Sequence, residues 1–284
     1  MRSKNCPHRL AVRTSESHSG NTGSIPVGVA KFFRIQMNIR NLFSNIVCGF
    51  IPGRARRNLV RVRLRYNTRQ YVKFVRSYFN DSKIPLTTCV GWGCQNFIVL
   101  AGGRYAFKFP LLDNGRERAE RERDITDALR KKITMKIPQM QILDFNGLAV
   151  RKYEFFPGVT LDQIPRSAYL ANRYHIANQI ARFIYQTGIA DPVSIRKYKS
   201  VPTQAPSFMH GWFHNDIGGN FILNPETMDI VGFIDWECVG FNDFSVGLYT
   251  ASHYWDKLGF RGMVVDVMRE YTRLYYSSED KKLS

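Results

Sequence analysis

Four polar residues near the C-terminal end of the chain have types and spacing that could do chemistry. His214, Asp216 and Asn220 fall on one tight loop, and Asp235 closes the apolar run Ile230, Val231, Phe233, Ile234. Phosphoryl transfer requires such a set. A carboxylate must stand beside an acceptor hydroxyl, and an asparagine with a second aspartate must hold magnesium against nucleotide phosphates. The stretch Phe221 to Ile234 has turn residues, Asn224-Pro225-Glu226-Thr227, between two apolar segments. It reads as a β-hairpin that brings both ends of the motif to one rim.

These groups need a partner that clamps phosphates, and residues 86–158 offer one. Gly91 and Gly93 precede an apolar segment, Phe97–Leu100, and Gly102-Gly103 turn the chain into Tyr105–Pro110, which carries Lys108. Glycines let backbone N–H groups approach phosphate, and a lysine adds a point charge. Residues 116–132 are charged, contain few breakers and read as a helix. Glu122, Ile125 and Leu129 share one of its faces, so Glu122 could reach Lys108; Glu120 is the competing candidate. A strand at 140–143, a turn at 145–147 and a strand at 148–155 follow. The Phe156-Pro157-Gly158 stop has the character of a hinge, where backbone groups near Glu154 and Phe156 could meet a nucleotide base.

Taken together, residues 86 to about 255 resemble the aminoglycoside phosphotransferase and choline kinase-like superfamily. The matched pieces are the Gly91/Gly93 loop, Lys108, the Glu122 helix, the 153–158 hinge, His214-Asn215-Asp216 and Ile234-Asp235-Trp236-Glu237. The last two, with Gly240-Phe241-Asn242-Asp243, look closest to the choline/ethanolamine kinase branch. The resemblance implies an α+β, two-lobed protein kinase-like fold. Its N-lobe (84–155) would be an antiparallel sheet plus helix. Its C-lobe (156–284) would be mainly helical, with helices at 163–187 and 259–276. By the same resemblance Asp216 is the catalytic base, Asn220 and Asp235 hold magnesium, Lys108 neutralises ATP phosphates, and His214 belongs to the catalytic loop, which it braces. Glu237 would support the metal, meet the substrate or make a structural hydrogen bond.

Two positions depart from that pattern. Only Ile217, Gly218 and Gly219 separate Asp216 from Asn220, where the superfamily has four residues. The two glycines could let the backbone compensate. Gly247 stands where an aspartate usually braces the loop. These departures keep open a non-catalytic, membrane-associated pseudokinase scaffold.

The 284 residues are 44% hydrophobic, enough for one two-lobed unit. Five scattered cysteines without metal spacing fit a reducing cytoplasm. No apolar run reaches the roughly 18 residues a spanning helix needs. The net charge of +18 is lopsided: residues 1–83 hold 17 of the 41 basic residues and two of the 23 acids. The remainder is nearly neutral, so a nucleic-acid groove in the cleft is not expected.

Residues 1–36 are polar and aperiodic and are expected to be disordered. Residues 14–28 read like a translated transfer RNA arm, which makes Met37 the expected translation start. Residues 37–83 form a basic amphipathic extension: Ile39 to Ile51 have helical spacing, and arginines cluster from Arg54 to Arg69. Such a stretch can lie on an anionic membrane at its inner face or pack on the N-lobe. The acceptor is a small-molecule alcohol: an amino alcohol such as choline, an envelope sugar or an aminoglycoside. A choline cage could draw on Trp212, Trp236, Tyr249, Tyr254 and Trp255, although aromatic residues at such spacing more often pack in a core; an aminoglycoside site would favour a more acidic wall than residues 153–284 supply.

Overall fold

The computed structural model describes residues 68–90, 96–111, 115–199 and 210–283, preceded by Val47 and Phe50 alone. The Gly91/Gly93 loop, residues 1–36 and most of the 37–67 extension therefore lie outside the described residues. Among the described residues, no helix is long and apolar enough to cross a membrane.

The N-terminal lobe is a five-stranded antiparallel sheet in the order β1-β2-β3-β5-β4. The strands are β1 (Leu86–Val90), β2 (Asn96–Ala101), β3 (Tyr105–Pro110), β4 (Met140–Phe145) and β5 (Leu148–Glu154). Local chemistry sets the connections. Gly102 and Gly103 both take positive φ in the β2–β3 turn, and Asn146 and Gly147 do so between β4 and β5. Between β4 and β5, where Phe145 pairs with Leu148, that is the geometry two-residue hairpins prefer, because it matches strand twist. Helix α1 (Thr68–Phe79) covers one face of this sheet, and helix α2 (Arg116–Arg130) is the helix expected there.

The C-terminal lobe is built on α3 (Arg166–Ile189), which packs along α5 (Met263–Leu283). Between them in sequence come β7 (His210–Phe213), β8 (Phe221–Leu223), β9 (Ile230–Phe233), β10 (Gly240–Asp243) and α4 (Phe244–Lys257). A short β6 (Val159–Thr160) joins β8 and β9 in a three-stranded sheet, and β7 pairs with β10. The hairpin expected at 221–234 forms as β8–β9. Helix α4 was not expected. Its signals were the Asp243 cap, whose carboxylate accepts from the Ser245 N–H, and the apolar spacing Phe244, Leu248, Ala251, Trp255, all buried.

The lobe boundary differs from the expectation at residue 84. Tyr71, Phe74 and Val75 of α1 are buried among Phe97, Phe109 and Phe145 in the N-lobe core. The Tyr71 and Phe109 rings stack at 4.4 Å, and Phe74 meets Phe145 at 4.9 Å. The end of the basic extension is therefore structural and belongs to the lobe. Phe74→Ala is expected to cost about 3–5 kcal/mol, as deletion of a buried aromatic does. A chain starting at Lys83 should lose at least as much. Chemical denaturation checks both, and an unchanged midpoint for either would contradict this boundary.

Candidate active site

The β8–β9 hairpin sets the rim. Ile234 N–H donates to the Asn220 carbonyl at 2.9 Å, so Asn220 and Asp235 leave the hairpin side by side. Asp235 takes a left-handed backbone, φ 61° and ψ 64°, and Asn215 also has positive φ. Both are residue types that tolerate this region at modest cost, and such strain concentrates at functional positions.

His214 is buried and uses both ring nitrogens. Nε2 lies 2.8 Å from the Ile234 carbonyl, which can only accept, so Nε2 carries the proton. Nδ1 accepts the Asp216 N–H at 3.3 Å. Burial lowers its pKa below the ordinary histidine value, a shift that hydrogen bonding to Ile234 and nearby aspartates only partly offsets. His214 is thus a neutral brace between the Asp216 loop and the Asp235 strand.

The shortened loop is shaped by what lies on it. Asn220 Nδ2 donates to the Asp216 carbonyl at 2.6 Å, which turns its Oδ1 the other way. Trp255 Nε1 donates to the Gly218 carbonyl at 2.7 Å. Neither Gly218 nor Gly219 has positive φ, so conformational freedom is not their role. A Cβ at Gly219 would sit 2.9 Å from the Tyr254 ring and hydroxyl, and one at Gly218 would sit 3.1 Å from Tyr254. Helix α4 occupies the space a longer loop would need. Gly247 lets the same helix approach further: a Cβ there would lie 3.1 Å from the Asn215 Cα. Direct helix–loop contact therefore stands at Gly247, where the resemblance implies a bracing aspartate. Phe183, Ile184, Phe213 and Leu248 line a small, mostly apolar void of about 10 Å³ beside it, at the lower limit for one water.

Lys108, on β3, is 3% exposed and reaches across to the C-lobe. Its Nζ lies 2.6 Å from Asp235 Oδ1 and 3.0 Å from Glu237 Oε1. Glu122 does not pair with Lys108, contrary to the expectation. It sits 2.8 Å from Arg151 Nε, and Arg151 Nη1 lies 3.1 Å from Glu237. Asn96 Nδ2 donates to the same Glu237 oxygen at 3.2 Å. Burial alone would lower the Lys108 pKa, but Asp235, Tyr153, Glu237 and Glu122 together raise it well above the ordinary value. Burial lifts the Glu122 carboxyl to about 7 despite Arg151 and Lys108. Asp235 stays below its usual range, because the Lys108 charge and hydrogen bond outweigh burial. Sequence reasoning missed Arg151; the available signal was an arginine directly after the apolar start Leu148-Ala149-Val150 of its strand.

The remaining expected residues are scattered more widely. Glu154 is exposed at the end of β5, and Phe156 is buried with its ring where a Cβ on Gly232 would fall. Trp212, Trp236 and Trp255 are sealed in the core, which removes them as candidates for a cage.

A five-stranded antiparallel lobe over a helical lobe, with a lysine strand facing a polar hairpin across a hinge, defines a protein kinase-like fold. Solved structures that it matches include aminoglycoside and macrolide phosphotransferases. The GDP complex of wild-type aminoglycoside 2'-phosphotransferase-IIIa aligns with a TM-score of 0.59 at 17% identity, over 73% of this chain and 83% of that one. Aminoglycoside-3'-phosphotransferase of type VIII gives 0.55 at 16% identity, over 72% and 92%. The apoenzyme of a macrolide 2'-phosphotransferase from Brachybacterium faecium gives 0.51 at 12% identity, over 71% and 82%. No protein-family model matches the chain, and no curated protein sequence matches it significantly.

The helix–loop contact is testable without knowing the substrate. Gly219→Ala should lower stability by about 1–3 kcal/mol, the usual range for overpacking. Adding Tyr254→Ala should return part of that loss in a double-mutant denaturation cycle. Simple additivity of the two changes would show that they do not meet.

Proposed function

We propose that the protein is a magnesium- and nucleotide-dependent phosphotransferase acting on a hydroxyl of a small molecule. The observation that carries this reading is the convergence of Asp216, Asn220 and Asp235 on one rim, with Lys108 buried against Asp235 at 2.6 Å. The residues fit magnesium. The Asp235 side chain is 40% exposed and charged, and the Asn220 Oδ1 is left uncommitted by its Nδ2 bond. Two protein oxygens suit an ion that keeps several waters and shares phosphate oxygens. Among the described residues, no group of three or more His, Cys, Asp or Glu side chains is placed to hold an ion without such help.

In this reading Asp216 accepts the proton of the acceptor hydroxyl and orients it. Asn220 and Asp235 hold the ion, which when bound neutralises phosphate charge. Lys108 turns from Asp235 to the phosphates. The base would lie at the hinge beside Glu154 and Phe156, and Gly91 and Gly93 would cover the phosphates. Both ATP and GTP are candidate donors, since the matched structures include a GDP complex.

The acceptor we favour is a sugar-type alcohol. Three of the five rings available for a quaternary ammonium cage are core residues, leaving Tyr249 and Tyr254. The near-neutral charge of residues 153–284 does not make the acidic wall a polycationic aminoglycoside would favour. A panel of sugars, choline, ethanolamine and aminoglycosides, assayed with magnesium and each nucleotide, tests the choice; turnover of choline alone would overturn it.

Asp216→Asn keeps size and removes the base. It should cut turnover by about 10²–10⁴-fold while nucleotide affinity is largely kept. Asp235→Ala and Asn220→Ala should instead weaken magnesium-nucleotide binding. Calorimetric titration beside a turnover assay separates the two patterns, and full activity in Asp216→Asn would defeat the assignment.

A further inference from the structure

Arg151 is the most fully buried charged side chain described, with no exposed surface. In the β3–β5 ladder it stands directly opposite Lys108, so the two cations project from the same face of the sheet. They share one acid. Glu237 lies 3.0 Å from Lys108 and 3.1 Å from Arg151, while Glu122 lies 2.8 Å from Arg151 alone. The set contains two cations and three carboxylates, and only Asp235 is substantially exposed.

We propose that Arg151 is a positioning residue for nucleotide binding: it neutralises Glu122 and Glu237 so that Lys108 is free to leave them for a phosphate. The inference rests on the phosphotransferase reading above and deepens it. When Asp235 holds the ion and Lys108 meets the nucleotide, the dry remainder is Glu122, Glu237 and Arg151. Without Arg151 those two acids would have Lys108 as their only cation and would retain it. Arginine suits the task for two reasons. It keeps its charge under burial, and its fork can meet two carboxylates at once, which an ammonium cannot do as well. The fork also has capacity in reserve. Its contacts are at ion-pair distance, yet none of its N–H groups is aimed along a hydrogen bond. Both acids can therefore tighten onto it as Lys108 departs.

The test compares the wild-type chain with Arg151→Met and Arg151→Lys, each alone and combined with Glu122→Gln. The readout is the dissociation constant for magnesium-ATP and magnesium-GTP, measured at a temperature where melting curves show each variant folded. Arg151→Met should weaken binding about tenfold or more. Removing the orphaned charge with Glu122→Gln should recover most of that loss. If Arg151→Met does not fold, Arg151→Lys carries the comparison: it should bind more weakly than wild type and be improved by Glu122→Gln. A lower melting temperature with unchanged nucleotide affinity, or a loss that Glu122→Gln fails to relieve, overturns the inference and leaves the phosphotransferase reading standing. A wild-type chain that binds neither nucleotide overturns both.

Discussion

An ammonium group almost entirely removed from water governs this architecture. Lys108 sits in the middle of an apolar strand, flanked in sequence by buried Phe107 and Phe109. A charge so placed is stable only if paired. Its nearest partners, Asp235 and Glu237, come from the other lobe. Each lobe thus leaves a charge that only the other can balance. The β8–β9 hairpin, the left-handed backbone at Asp235 and the short turn through Trp236–Cys238 deliver those two carboxylates to one place.

The second organising feature is how closely α4 lies on the Asp216–Asn220 loop. Small residues on both surfaces permit it: Gly218 and Gly219 on the loop, Gly247 and Ala251 on the helix. Large groups then lock it, with Tyr254 over the glycines and the Trp255 indole on the Gly218 carbonyl. The glycines of the loop and those of the helix are one arrangement: the absence of side chains on both surfaces brings the two backbones together.

Much of this was legible in the sequence because the signals were local. Strand alternation, the Asn146-Gly147 turn and the apolar face of α2 are set by neighbouring residues. The clustering of Asp216, Asn220 and Asp235 followed from a recognisable hairpin. What was not legible depended on contacts distant in sequence. Glu122 and Lys108 could each be named, yet nothing nearby in the chain showed that Arg151 would stand between them. The tryptophans looked available because sequence does not reveal which face of a strand or helix is sealed. Helix α1 carried a helical pattern of aromatics, but its place in the N-lobe core became visible only with Phe97, Phe109 and Phe145 beside it.

Helix α2 is held to the C-lobe at several separate points. Tyr198 donates to Asp124 at 2.8 Å, Arg121 donates to the Val239 carbonyl at 3.0 Å, and just beyond the helix Thr134 meets Gln186. The segment that follows adds a backbone bond, Phe233 N–H to the Lys136 carbonyl at 3.1 Å. A helix fastened at that many points has no second resting place at low cost. Swinging it away from the cleft would break all of these contacts in one movement. The two lobes are consequently joined along this helix as well as through the 154–158 connection, and a rearrangement there would have to give up each of these bonds.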